Sequence, residues 1–264
     1  MCILCGDIYE MHSSQKSDEV YLGTNQELAD YLSEGFWRDI GSSARKFNLS
    51  DIGSNPKKGL ITYNTNGNAF DQDGIETDRS ILVKEAFKYI SESLGIEFES
   101  TNSYDADFIF GDLYKGAFTF TSHDSQNIEY VFINIGSSWN RSLSGIGNYT
   151  YQTILHEIGH GLGLGHQGLY NGSSYKESFF ENDTWQSSIM SYFPQENNIA
   201  SDASNAFLST FMISDLIALE DIYEDKEFKS SSFIDDTIYG FNTNIEESTS
   251  LIFNQMYLYI PFNA

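Results

Sequence analysis

Three of the chain's five histidines fall within the stretch TILHEIGHGLGLGHQG at 153–168. His156 and His160 are four residues apart, so on a helix they share one face, separated by a turn of about 5.4 Å. Two imidazole nitrogens can then address a single ion, and Glu157 projects beside them, within reach of a water on that ion. Gly163 follows three residues after His160, where the helix must stop and the chain turn back; glycine allows the positive φ this takes. The turn would return His166 as a third ligand and leave a fourth position open. Three protein ligands with an open position is the arrangement of catalytic zinc, whereas structural zinc is closed by four. A water in that position is acidified to a pKa of about 7, and Glu157 could take its proton and hand it to a leaving amine. A surface patch that merely scavenges metal would need neither the glutamate nor the glycine in register.

Composition narrows what such a centre could serve. With 38 acidic against 14 basic residues the formal charge is −24, a field that repels phosphates, so nucleic acid is excluded as a partner. The same carboxylates suit calcium, yet no complete calcium motif is present: DQDG at 71–74 matches only part of a calcium loop and reads better as a turn. Cys2 and Cys5 are the only cysteines, which leaves the rest of the chain without a disulfide framework and dependent on packing. No apolar run is long enough for a membrane span, and no signal peptide opens the chain. Aromatic residues at 15% indicate a folded protein.

The elements that must position the histidines are legible in outline. Residues 1–21 read as a polar leader. Leu28, Tyr31, Leu32 and Phe36 form a short helical face, and GLITYN at 59–64 alternates as a strand. TDRSILVKEAFKYISESLG reads as a helix with Thr77 as N-cap and Gly95 as its stop. Strands are expected at 96–100, 107–112, 116–121 and 129–135, the last two joined through SHDSQN. A helix starting near Thr150 carries the histidines, and another runs from Ser214, as cap, to Tyr223.

The full pattern H-E-x-x-H-x-x-G-x-x-H, with SSIMSYF following at 187–193, resembles the metzincin zinc endopeptidases, and the serralysins in particular. In that family a methionine turn lies beneath the zinc, a place taken here by Met190, whose soft thioether would floor the three rings. The resemblance gives Tyr192 two roles, as a zinc ligand at rest and as a stabiliser of the oxyanion during reaction. TFMISDLIALEDIYED resembles the family's C-terminal helix, in which Asp215 ties the helix to neighbouring chain. The resemblance covers roughly residues 22–250 and is strongest over 150–242. It implies an α+β fold: a two-lobed metzincin catalytic domain at 22–225 with a twisted, mixed five-stranded sheet, an active-site helix and a C-terminal helix. Residues 226–264 resemble the start of a serralysin β-roll. GAFTFT would be the edge strand along which substrate extends.

The sequence departs from the family pattern in three places. Gln167 stands where serralysins usually carry proline. The calcium-binding repeats do not follow, either because the member is short or because the chain continues beyond this sequence. Cys5, in the opening MCILCGD, could cap the open zinc position and hold a proenzyme latent, although an incidental thiol in a leader is the favoured reading. The expectation is therefore a secreted, extracellular, monomeric zinc metalloendopeptidase acting on proteins or peptides, with a protein inhibitor as a further partner. The alternative is a zinc-binding but catalytically silent interaction or toxin-like module, against which Glu157 counts.

Overall fold

The computed structural model describes residues 20–139, 145–170 and 178–223. Residues 1–19 of the leader, with Cys2 and Cys5, and the segment 226–264 compared above with a β-roll, lie outside the described residues.

Five strands form one sheet: β1 (Leu60–Asn64), β2 (Glu97–Ser100), β3 (Phe108–Gly111), β4 (Ala117–Asp124) and β5 (Asn127–Ile135), in the order β2-β1-β3-β5-β4. All neighbours are parallel except β4, which runs antiparallel to β5 at the edge. Parallel neighbours cannot be joined by a tight turn and need a crossover. Helix α3 (Thr77–Leu94) supplies it between β1 and β2. Alternation along the strands turns Ile61, Tyr63, Phe108, Phe110, Val131 and Ile133 into one core, against Leu82, Val83, Ala86, Phe87 and Ile90 of α3. Each fully buried Val, Leu, Ile or Phe among them contributes about 1.5–3 kcal/mol. The opposite face carries Ile109 and Phe132, with Phe70 stacked on Phe132 at 4.7 Å.

Element edges differ from the sequence expectation where backbone pairing overrides side-chain signals. Thr77 is the first residue of α3 and Glu76 precedes it as N-cap, while Gly95 ends the helix at φ 68° as expected. The strands β4 and β5 run on through most of SHDSQN to the pair Asp124–Asn127, leaving a two-residue connection with Ser125 at φ 55°. The C-terminal helix α5 (Ile213–Ile222) has Met212 as N-cap instead of Ser214. Asp215, within its first turn, accepts the Met212 N–H at 2.8 Å and so does the capping from inside the helix.

The N-terminal helical face is interrupted. α1 (Asn25–Asp30) is capped by a reciprocal Thr24–Glu27 pair, a π turn follows at Tyr31–Gly35, and α2 is Phe36–Asp39. The helix that carries His156 and His160, α4 (Tyr149–Gly161), starts at Asn148, whose side chain accepts the Tyr151 N–H at 2.9 Å. Every residue from Thr150 to Gly161 is buried, the condition of a helix sealed on all sides. Among the described residues, no helix is long and apolar enough to cross a membrane.

Candidate metal centre

His156, His160 and His166 are buried and bring one ring nitrogen each to a common point, all within 4.8 Å of one another. The Nε2 atom of His160 lies 3.1 Å from that of His156 and 3.1 Å from that of His166. A tetrahedron with Zn–N bonds of about 2.0–2.1 Å has edges of about 3.3–3.4 Å, so the spacing suits zinc. The outer nitrogens decide the tautomers. His156 Nδ1 sits 2.9 Å from the Ile189 carbonyl and His160 Nδ1 sits 2.8 Å from the Leu164 carbonyl. A carbonyl can only accept, so each Nδ1 carries the proton and each Nε2 presents a lone pair inward. Lone pairs facing one another at this range repel unless a cation lies between them.

Burial enforces the same state. It pushes His156 down to about 4 and the other two well below the ordinary histidine range, where each ring's neighbours add to the effect. Metal binding requires neutral imidazole, and the rings are already neutral at pH 7. The three histidines therefore fit a zinc ion, as their spacing in the sequence anticipates.

The turn that returns His166 is built around Gly163, at φ 112°. A Cβ here would stand 2.3 Å from the Arg45 carbonyl oxygen. The N-terminal helices hold the turn from outside: Trp37 Nε1 donates to the Gly163 carbonyl at 2.8 Å, and the Gly165 N–H donates to Leu32 in the π turn at 2.7 Å. Phe36 meets the His166 ring edge-on, while Tyr170 stacks against it at 23°. The phenol of Tyr170 reaches the buried Asp183 carboxylate at 3.1 Å. At the position where the family pattern has proline, the buried Gln167 donates to the Leu28 carbonyl at 3.2 Å, pinning the loop to α1.

Met190 is fully buried against α4, with its Sδ where a side chain on Gly159 would stand, 2.7 Å from the ideal Cβ position. The methionine turn is held by Asp215: Ser188 Oγ donates to Oδ1 at 2.6 Å and Ile189 N to Oδ2 at 2.8 Å. Since the Ile189 carbonyl orients His156, Asp215 is linked to the first histidine through one residue of backbone. Tyr192 stands with its ring 4.7 Å from that of His166 and 5.7 Å from that of His156. Glu157 is buried, and its Oε2 accepts a hydrogen bond from Thr119 Oγ1 of β4 at 2.7 Å. Cys5 lies outside the described residues. Sequence reasoning did not foresee Thr119, Tyr170 or the Ile189 and Leu164 carbonyls; backbone acceptors leave no trace in residue type.

Part of the chain is similar in sequence to known proteins. Serralysin C of Dickeya chrysanthemi is 38% identical over 121 residues, which is 42% of this chain and 24% of that protein. The chain is serralysin-like over this stretch. Metalloprotease AprA of Pseudomonas entomophila (strain L48) is 36% identical over 109 residues, 39% of this chain and 22% of that protein. Serralysin of Photorhabdus sp. (strain Az29) is 38% identical over the same length, again 39% and 22%. The serralysin-like stretch thus spans about a quarter of the length of these curated relatives. No family model matches the chain. Among solved structures, high choriolytic enzyme 1, a hatching enzyme zinc-protease of the medaka Oryzias latipes, aligns over 70% of this chain and all of that one, at 16% identity and a TM-score of 0.39.

Proposed function

We propose that the protein is a zinc-dependent metalloendopeptidase that hydrolyses internal peptide bonds of proteins, with its catalytic domain at 22–225. The observation that carries this reading is the convergence of three buried imidazole nitrogens, with the buried Glu157 on the same helix as the first two. His156, His160 and His166 would hold the ion. Zinc, when bound, polarises a carbonyl and makes a water acidic enough to attack at neutral pH.

The chain supplies the remaining chemistry. Glu157 accepts the proton of the attacking water and returns it to the departing amine. Tyr192, next to His166, donates its phenol proton toward the carbonyl oxygen as that atom gains charge; at rest the same phenol is the candidate fourth ligand. Met190 supports the rings from below. β4 lies at the sheet edge, where an extended peptide can add as a further strand through main-chain hydrogen bonds. The serralysin resemblance supports a secreted, extracellular setting, a monomer, and regulation by a protein inhibitor.

Cleavage of casein or a quenched peptide, with and without phenanthroline, tests the reading. Activity should vanish with the chelator and return with zinc. Glu157→Ala should keep stoichiometric zinc and lose cleavage. A variant that still cleaves at the original rate would show that the general base is assigned wrongly.

A further inference from the structure

Thr119 is one strand residue among several, yet its hydroxyl meets Glu157 twice. Oγ1 lies 2.7 Å from the carboxylate Oε2 and 2.9 Å from the Glu157 backbone carbonyl. The residue is buried, on the face of β4 turned toward α4, and pairs with Ile133 of β5. The neighbours Phe118 and Phe120 point to the other face, where they pack with Phe132 and Tyr130. From these contacts we infer that Thr119 is the positioning residue for the general base: it fixes the rotamer of Glu157 so that the carboxylate stays aimed at the site of the attacking water. The inference rests on the reading of Glu157 as that base.

A hydroxyl has one proton and cannot donate fully to both oxygens. The ionised carboxylate is the stronger acceptor, and a charge-assisted bond is shorter and stronger than one to a neutral carbonyl; the observed distances fall in that order. Both acceptors belong to the same residue, so Oγ1 holds the end of the glutamate side chain against its own backbone. An ionised carboxylate offers about four lone-pair sites, so a bond on Oε2 still leaves room to receive a proton. A β-branched side chain on a strand has few χ1 choices, and β4 is tied to β5 along its length; the clamp is as rigid as the sheet. The same strand that offers its edge to the peptide would then set the base, so substrate and base share one frame.

Thr119→Val removes the hydroxyl at nearly constant volume, and Thr119→Ser keeps it. Both are purified with wild type and Glu157→Ala, and kcat, KM, zinc content and thermal midpoint are measured for each. Thr119→Val should lose about 10–100-fold in kcat, the usual effect of removing an outer-shell partner, with KM and zinc content unchanged. Thr119→Ser should recover most of it. Thr119→Ala, read against the serine variant, serves if valine prevents folding. Equal kcat for the hydroxyl-free and serine variants overturns the inference, as does a loss that merely follows zinc content or folded fraction. If Glu157→Ala is fully active, the general-base reading falls and this inference with it; if Glu157→Ala is dead while Thr119→Val is not, only the inference falls.

Discussion

Gly163→Ala is the substitution for which the structure gives the most definite cost. The residue has φ 112°, and its Cβ would lie 2.3 Å from Arg45 O, against 3.4 Å or more in ordinary contact. One of the two must move by about 1 Å. Arg45 cannot give way easily, because the next residue is pinned on both sides: Lys46 N donates to the Gln126 carbonyl at 2.8 Å, and Ile128 N donates to the Lys46 carbonyl at 2.9 Å. Backbone strain at such a φ costs about 1–3 kcal/mol, and forcing atoms into a filled space adds about 1–3 kcal/mol. At about 2–4 °C per kcal/mol for a domain of this size, the melting midpoint should fall by on the order of 10 °C. His166 leaves the same turn, so zinc affinity should also weaken, by about 10–100-fold. Thermal melts and competition against a fluorescent zinc chelator measure the two effects. Gly147→Ala is the control, because φ there is 84° but its Cβ would meet nothing closer than 3.8 Å; it carries the strain without the collision. If Gly163→Ala matches that control in both assays, the close approach to Arg45 does not govern the turn.

Other perturbations test other links. Asp215→Ala strips the acceptor from the buried N–H of Ile189 and the half-buried N–H of Met212 and should cost about 1–3 kcal/mol for the buried one, with weakened zinc binding because Ile189 orients His156; an alanine variant with unaltered stability and affinity refutes the link. Burial raises Asp183 from 3.8 to about 6. The native state therefore holds this proton more tightly than the unfolded chain, and the group's contribution, fully present below pH 3.8, is lost as pH rises through about 6. The loss is about 3 kcal/mol. Asp183→Asn, which stays neutral, should gain stability relative to wild type over that window in parallel melts, and a constant difference across the window would contradict the assignment.

How far the sequence could be read depended on whether an interaction is local. The three histidines, Glu157 and Gly163 are bound by helix geometry and a single turn, so spacing alone placed them. The helix at 77–94 and the strand positions followed from apolar periodicity, which the sheet and α3 then obeyed. Helix starts were misplaced at Thr77 and Ser214, since a cap-forming residue type was visible while the backbone geometry and the inward cap of Asp215 were not. Thr119 looked like any strand threonine, because its partner is 38 residues away. The π turn at Tyr31–Gly35 and its bond to Gly165 were similarly hidden: they arise only when α1 and the ligand turn are brought together.

Asp215 and Ile189 bear on how this chelate could be reused. An excised peptide of residues 153–168 would carry the three imidazoles in order, yet lack the distant carbonyl that sets the first ring and the aromatic walls around the third. Grafting the zinc-binding segment into another scaffold would therefore transfer the donors without their preorganisation. Protein engineers wishing to borrow the chelate would have to take the methionine turn and its aspartate along with the helix.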